Sequence, residues 1–321
     1  MGRVNHLETF YGLKVRDFPF TEPGTKGARL PAADAVAWRI STPPYGTGPL
    51  LDWEQVFERF ADTVDLSQVR AIVVGLWTKD VSCRPDKVIE TLLAARDQLP
   101  SLRALFLGDI APEEYEISWI EQGLVSPLLE GFPELEEFGV RGGNRLEFHP
   151  VTHQRLRSLV VETGGLPAGV VRAIAASDFP ALKYLELWLG TADYGGDSEI
   201  ADLAPILQGT RLPRLRHLAL CNSDYEDEIA AAMASAPIVA QLKTLDLSMG
   251  ILTDEGATAL LSGQPLTHLK TLDLDYNFLS EPVRQRFRDA LEGAGVTLYL
   301  DEEAEEHEWD DEIHRFVAVG E

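Results

Sequence analysis

Two identical six-residue phrases, Leu-Lys-Thr-Leu-Asp-Leu at 242–247 and 269–274, each carry one carboxylate in the same place, Asp246 and Asp273. On neighbouring strands of one sheet, equivalent side chains stand about 4.8 Å apart. Two carboxyls that close can share a proton, hold a cation or divide acid and base roles. Retaining glycosidases place theirs about 5–5.5 Å apart. The pair therefore allows a hydrolytic or metal-assisted centre. The preferred reading is an exposed acidic stripe for a basic partner, because an Asp between two leucines is ordinary in a repeat. Other reactive groups offer less. His217 and Cys221 lie four residues apart, on the order of 13 Å along a strand, too far for a nucleophile and its base. His149 and His153 are one helical turn apart, but Pro150 suits only a first turn and no His-Glu-x-x-His motif is present. No Walker loop, dinucleotide fingerprint or Gly-x-Ser-x-Gly elbow occurs. No cofactor, metal or catalytic residue is assigned.

The elements that must position these groups are repeats. The phrase Leu-x-x-Leu-x-Leu begins at residues 102, 182, 215, 242 and 269, with looser copies at 69, 135 and 156. Successive steps are 33, 33, 21, 26, 33, 27 and 27 residues, and a ninth unit follows at 296–300. Each phrase reads as a strand. Helix patterns lie between: 85–95, with Pro85 suited to a first helical position, 254–261, and 281–291 after the N-cap candidate Ser280. The 21-residue step from 135 is too short for a strand and a full helix, so a distorted repeat is expected around 141–153. Strand, helix, strand at fixed period gives parallel strands joined by right-handed crossovers. Positions 4 and 6 then face the helices, and positions 3, 5 and 7 face an open side.

These phrases resemble leucine-rich repeats, and their helical spacers resemble the ribonuclease-inhibitor-like subclass. The resemblance covers about residues 66–300. It implies an α/β solenoid, a horseshoe with a curved parallel sheet on the concave side and helices on the convex side. An asparagine after the strand is frequent in that family; here Asn277 fits, while Gly143, Gly190, Ser223 and Gly250 stand in the other repeats. The stretches 6–13 and 315–321 are also similar to those of an uncharacterised bacterial family of leucine-rich-repeat proteins.

The open side can be read off. Its early strands carry small and apolar residues, its late strands aromatic and acidic ones. Phe106, Tyr184 and Trp188 are the expected aromatic anchors, with Glu186, His217, Asp246, Asp273 and Asp275 as polar contacts. Position 2 carries a basic column: Arg70, Arg103, Arg157, Lys183, Arg216, Lys243 and Lys270, broken by Glu136.

Residues 1–65 read as an N-terminal cap, with a strand at 35–40, a loop at 41–49 and a helix at 52–61. Residues 301–321 read as an acidic segment that returns through Trp309 and 316–319 to cap the last strand. Nine acids fall between 301 and 312, without calcium-loop spacing. A net charge of −24 argues against nucleic acid and anionic membranes as partners. Two cysteines make no disulfide framework, and neither a secretory signal nor a membrane-length apolar run is read, so the cytoplasm is expected. The expected function is a non-enzymatic scaffold for a protein or peptide, basic in character.

Overall fold

The computed structural model describes residues 4–19, 30–42, 51–78, 83–309 and 312–320. Most of the loop read at 41–49, and Asp310 and Asp311 of the acidic run, lie outside the described residues. Twelve strands form one sheet in strict chain order. A hairpin of β1 (Thr9–Phe10) and β2 (Leu13–Asp17) opens it. Then follow β3 (Ala37–Ile40), β4 (Ala71–Val74), β5 (Ala104–Leu107) and β6 (Glu137–Arg141). Beyond these lie β7 (Ser158–Glu162), β8 (Tyr184–Gly190), β9 (His217–Ser223), β10 (Thr244–Asp246), β11 (Thr271–Asp273) and β12 (Thr297–Tyr299). From β3 to β12 every strand pairs in parallel with its predecessor. An open, mostly parallel sheet with each strand beside the previous one fits a repeat solenoid. A separate hairpin, β13 (His307–Trp309) and β14 (Glu312–His314), follows it.

The helices α1 (Trp53–Thr63), α2 (Asp86–Ala94), α3 (Ser126–Gly131), α4 (Ala168–Ala176), α5 (Ile200–Gln208), α6 (Glu226–Met233), α7 (Asp254–Leu261) and α8 (Glu281–Leu291) lie in the spacers. Pro85 stands one residue before α2 as its N-cap. Ser280 caps α8 through its backbone, its N–H bonded to Asp254 Oδ1 at 2.8 Å. Between β6 and β7 there is no helix; bridges such as Thr152 to Asp178 replace it. The 21-residue step is therefore an all-loop repeat.

The phrase leucines explain the core. Leu105, Leu107, Leu185, Leu187, Leu218, Leu220, Leu245 and Leu272 are fully buried, in one cluster with Leu92, Ile174, Ile206, Ile229 and Phe287 of the helices. The register aligns the third positions as a column: Ala71, Ala104, Glu137, Ser158, Tyr184, His217, Thr244, Thr271. The late strands end alike. Asn222, Met249 and Tyr276, each at φ between 56° and 68°, turn the chain out of the sheet in the left-handed region. After Tyr276, buried Asn277 donates to Leu247 O at 2.8 Å and accepts from Leu252 N at 3.1 Å, tying two repeats together. One repeat earlier, at Gly250, the carboxyl of Glu226 fills that space; a Cβ there would stand 2.6 Å from Glu226 Oε2.

Candidate functional site

The sheet face away from the helices was expected to be open along its length. It is covered at two places and partly exposed on β8 to β11. The first cover is the β1–β2 hairpin. Leu7, Phe10, Tyr11, Leu13 and Val15 pack onto Ala37, Ala71, Val73, Ala104 and Phe106. Phe10 meets Phe106 edge to face at 6.0 Å, and Phe106 keeps only 3% of its surface exposed. Phe106 is thus corrected from an exposed anchor to an interior side chain, because the hairpin needs an apolar seat.

A buried charge cluster fastens this cover. Asp109, fully buried, accepts from Arg39 Nε at 2.6 Å and from the Leu7 N–H at 3.0 Å. Arg141 Nη1 lies 3.4 Å away, and His6 3.5 Å. Arg39 also bonds Leu7 O at 2.6 Å and Asp17 at 3.0 Å. Arg141 reaches Asn5 O at 3.0 Å and Glu162 at 2.7 Å. Burial works to raise the Asp109 carboxyl, but His6 and the two guanidiniums outweigh it and hold it below the usual carboxylate range. The His6 pKa is raised in turn, chiefly by Asp109. Residues 5–7 are therefore pinned both to Arg39 within the same N-terminal region and to Asp109 and Arg141 of the repeats that follow it.

The second cover is a strap, residues 317–320. It does not end on the last strand, as expected. Glu303 bridges to Asn277 and pairs with Arg284, and the chain then crosses to the ends of β9 and β10. There the Ala318 N–H donates to Met249 O at 2.9 Å. Asn222 holds Val319 from both sides: its Oδ1 accepts the Val319 N–H at 2.9 Å and its Nδ2 donates to Val319 O at 2.6 Å. Val319 joins Val4, Ile117, Trp188, Ala219, Cys221 and Met249 in a second apolar cluster. Trp188 is 6% exposed, so it too is corrected from an exposed anchor to a buried support.

Apart from both covers, Tyr184, Glu186, His217, Asp246 and Asp273 form a half-buried strip on β8 to β11. Glu186 is held by two donors, the Tyr184 hydroxyl and Trp188 Nε1, the latter at 2.7 Å. Burial, with Glu162 nearby, pushes its pKa up to about 7 against these favourable bonds. Tyr184 stacks on His217 with ring centroids 4.0 Å apart and planes at 14°. Burial lowers the His217 pKa, so the imidazole is neutral at pH 7, and its Nε2 has no hydrogen-bond partner among the described residues. Burial and the Glu186 charge raise the Tyr184 pKa, leaving a neutral hydroxyl donor.

Asp246 and Asp273 are direct register partners on β10 and β11. Each closes the end of its own strand: Asp246 Oδ1 accepts the Ser248 N–H at 3.0 Å, and Asp273 Oδ1 the Asp275 N–H at 3.0 Å. The Cys221 thiol adds a donor to Asp246 Oδ1 at 3.3 Å. Asp275 in turn accepts the Glu302 N–H at 3.1 Å, which makes it an anchor for the chain beyond β12. One oxygen of each paired carboxylate is thus committed to a turn. The larger clefts lie elsewhere. One of about 1000 Å³ is lined by Asn277, Arg284, Glu303 and Arg315, and one of about 870 Å³ by His6, Lys14, Arg16 and Arg39.

The remaining candidates resolve simply. Buried His153 bonds Phe132 O at 3.2 Å and accepts the Leu156 N–H at 3.0 Å, while His149 is exposed. No group of three or more metal-ligating side chains occurs among the described residues. Much of the basic column serves its own strand starts: Arg216 bonds Leu215 O at 2.7 Å, Arg103 bonds Leu102 O at 2.8 Å, and Arg157 pairs with Glu136 at 2.9 Å. Among the described residues no helix is long and apolar enough to cross a membrane. Sequence reading missed Asp109, Arg39, Arg141 and Asn222. The apolar character of Ala71, Val73, Ala104 and Phe106 was the available sign that something covers them.

No family model matches the chain, and no curated protein matches it. Its structure is similar to the crystal structure of a Bacteroides fragilis protein from the Northeast Structural Genomics Consortium. The TM-score is 0.74 with 29% sequence identity, over 82% of this chain and 72% of that one.

Proposed function

We propose that this chain is a leucine-rich-repeat scaffold of the ribonuclease-inhibitor-like kind. On this reading, the half-buried strip on β8 to β11 binds an extended basic segment of a partner protein. One observation carries the reading. The strip presents Glu186 on β8 and Asp246 on β10, at the same register position on either side of Ala219 of β9, and neither forms an ion pair among the described residues. In a right-handed horseshoe this strip lies on the concave side, where a segment running across the strands meets Glu186, then Ala219, then Asp246 and Asp273. The side chains stand on paired strands, and Glu186 is already oriented by Tyr184 and Trp188, so little freedom is lost on binding. The net charge of −24 steers a cationic partner toward the chain at low salt. Free Cys83 and Cys221 fit a reducing cytoplasm.

The carboxylate pair as a hydrolytic centre is the weaker reading. Both Oδ1 atoms are turned to backbone N–H groups, and neither larger cleft borders the pair.

The test is fluorescence anisotropy with a labelled Lys/Arg-rich peptide against the parent and a Glu186→Gln/Asp246→Asn double variant. A loss of about tenfold or more in affinity, near 1.4 kcal/mol, supports the strip. Parent affinity should also rise with pH through about 7 as Glu186 ionises, and that rise should vanish in the variant. Equal binding by both proteins, or by an acidic control peptide, removes the proposal.

A further inference from the structure

The strap occupies a groove with the features of a ligand site. Its residues alternate as an extended peptide does: Val317 buried, Ala318 exposed, Val319 buried. The groove reads the strap's backbone. The Asn222 amide pairs with both the N–H and the C=O of Val319, as the neighbouring strand of a sheet would, and Met249 O takes the Ala318 N–H. The Gly320 carbonyl accepts from the Ser118 hydroxyl. Main-chain bonds with pockets for alternate side chains are the signature of strand-addition peptide recognition.

The groove also selects. At residue 320 a Cβ would stand 2.7 Å from the Tyr194 ring, so any side chain there has to push that ring aside, which favours glycine. At Gly164 a Cβ would meet Gly320 O at 2.3 Å; the groove lacks a side chain where the peptide must pass. Asn222 is preset for its task. Its backbone is in the left-handed region that asparagine tolerates, and its Nδ2 is also held by Thr163 O at 3.3 Å. The strap itself is lightly attached. Phe316 just before it is 51% exposed, and residues 305–308 and 313 are exposed too. A preset groove holding a short segment by a few bonds is the arrangement expected of an exchangeable occupant.

The geometry points to a peptide-docking groove at the ends of β8–β10, in which the strap is the resident ligand and a partner's extended segment of the form apolar-x-Val-Gly is the incoming one. This groove is distinct from the acidic strip and does not depend on the strip binding anything. The incoming segment is recognised by its backbone, its valine and its glycine, and carries no required charge. Releasing the strap uncovers Cys221, which is 1% exposed with the strap seated.

Cys221 therefore supplies the readout. Exposed Cys83 is first changed to Ser to remove background labelling. Strap release is made by Ala318→Pro with Val319→Ser, which deletes the N–H to Met249 and the buried side chain. Cys221 in this variant should react with a thiol reagent about tenfold faster or more than in the parent, with unchanged circular dichroism. A synthetic peptide of sequence 313–321 should restore protection saturably. The same peptide with Gly320→Val should not, and Asn222→Gly, which keeps the backbone conformation, should abolish the rescue. Labelling at the parent rate, or no rescue by the peptide at about millimolar concentration, reduces the strap to ordinary packing. Should the released variant not fold, hydrogen exchange of the parent decides. The Ala318 and Val319 amides must exchange by local opening faster than that of Leu218, and equal protection overturns the groove.

Discussion

The early and late halves of this sheet share one register and one set of helix-facing leucines, yet their other faces have opposite fates. On β3 to β5 the intervening residues are Ala37, Ala71, Val73, Ala104 and Phe106, and a hairpin buries them. On β8 to β10 they include Tyr184, Glu186, His217 and Asp246, which stay partly exposed, while Ala219, Trp188 and Cys221 are buried. The leucines fix that a strand forms and which way it faces. The residues between them decide whether the second face becomes interior or surface. Electrostatics follows the same division. Asp109, beneath the hairpin, is held ionised by His6 and two guanidiniums. Glu186 and Glu226, in the late half, are pushed toward the protonated form by burial.

Breaking the covered half should cost most. Asp109→Ala leaves Arg39 and Arg141 facing each other without their carboxylate. We expect a loss of about 3–5 kcal/mol in urea denaturation. Next, Phe106→Ala should cost about 3 kcal/mol, against about 1 kcal/mol or less for Tyr184→Ala on the exposed strip. Equal costs would erase the distinction between the halves. A subtler comparison uses pH. The Asp109 carboxyl has a lowered folded pKa, so its stabilisation exists above the unfolded value of 3.8 and fades as pH falls through the folded one. Glu186 has a raised folded pKa, so its contribution is full below 4.5 and fades as pH rises to about 7. Amide exchange should therefore show the early strands loosening in acid and the late strands loosening toward neutral pH. A further pH-dependent effect is expected at Glu226, whose carboxyl is fully buried beside Gly250. Burial, with Asp246 adding to it and the Ser223 backbone opposing, raises its pKa. Glu226→Gln should melt at nearly the parent temperature in acid and increasingly above it as pH rises past 4.5.

The strands were legible because the leucines recur with a period that no other element produces. Their register, the helices 254–261 and 281–291, and the helix-free repeat between β6 and β7 all follow from spacing. The covers were not legible, because each depends on groups that come together only in the fold. Asp109 meets Arg39 across 70 residues, and Asn222 meets Val319 across 97. Nothing local to Leu7, Phe10 or Val319 distinguishes a segment that lies on a sheet from one that runs past it. The aromatic anchors failed for the same reason: Phe106 and Trp188 were placed on the correct face, but a face is not a surface until its neighbours are known. Asn277 and Gly250 show the finer limit. One repeat uses an asparagine to tie its turn, and the preceding repeat leaves that space to Glu226 of the neighbouring helix.

Val4 and Val319 share one small apolar cluster although nearly the whole chain lies between them. In a linear array of repeats, each unit feels mainly its neighbours, and the array can fray from either end. Here the two outermost segments are laid over the middle strands and against each other. Fraying at one end must therefore disturb the other, and the array should melt as a single cooperative unit. The same closure joins residues far apart in sequence, so it should be among the last contacts to form during folding.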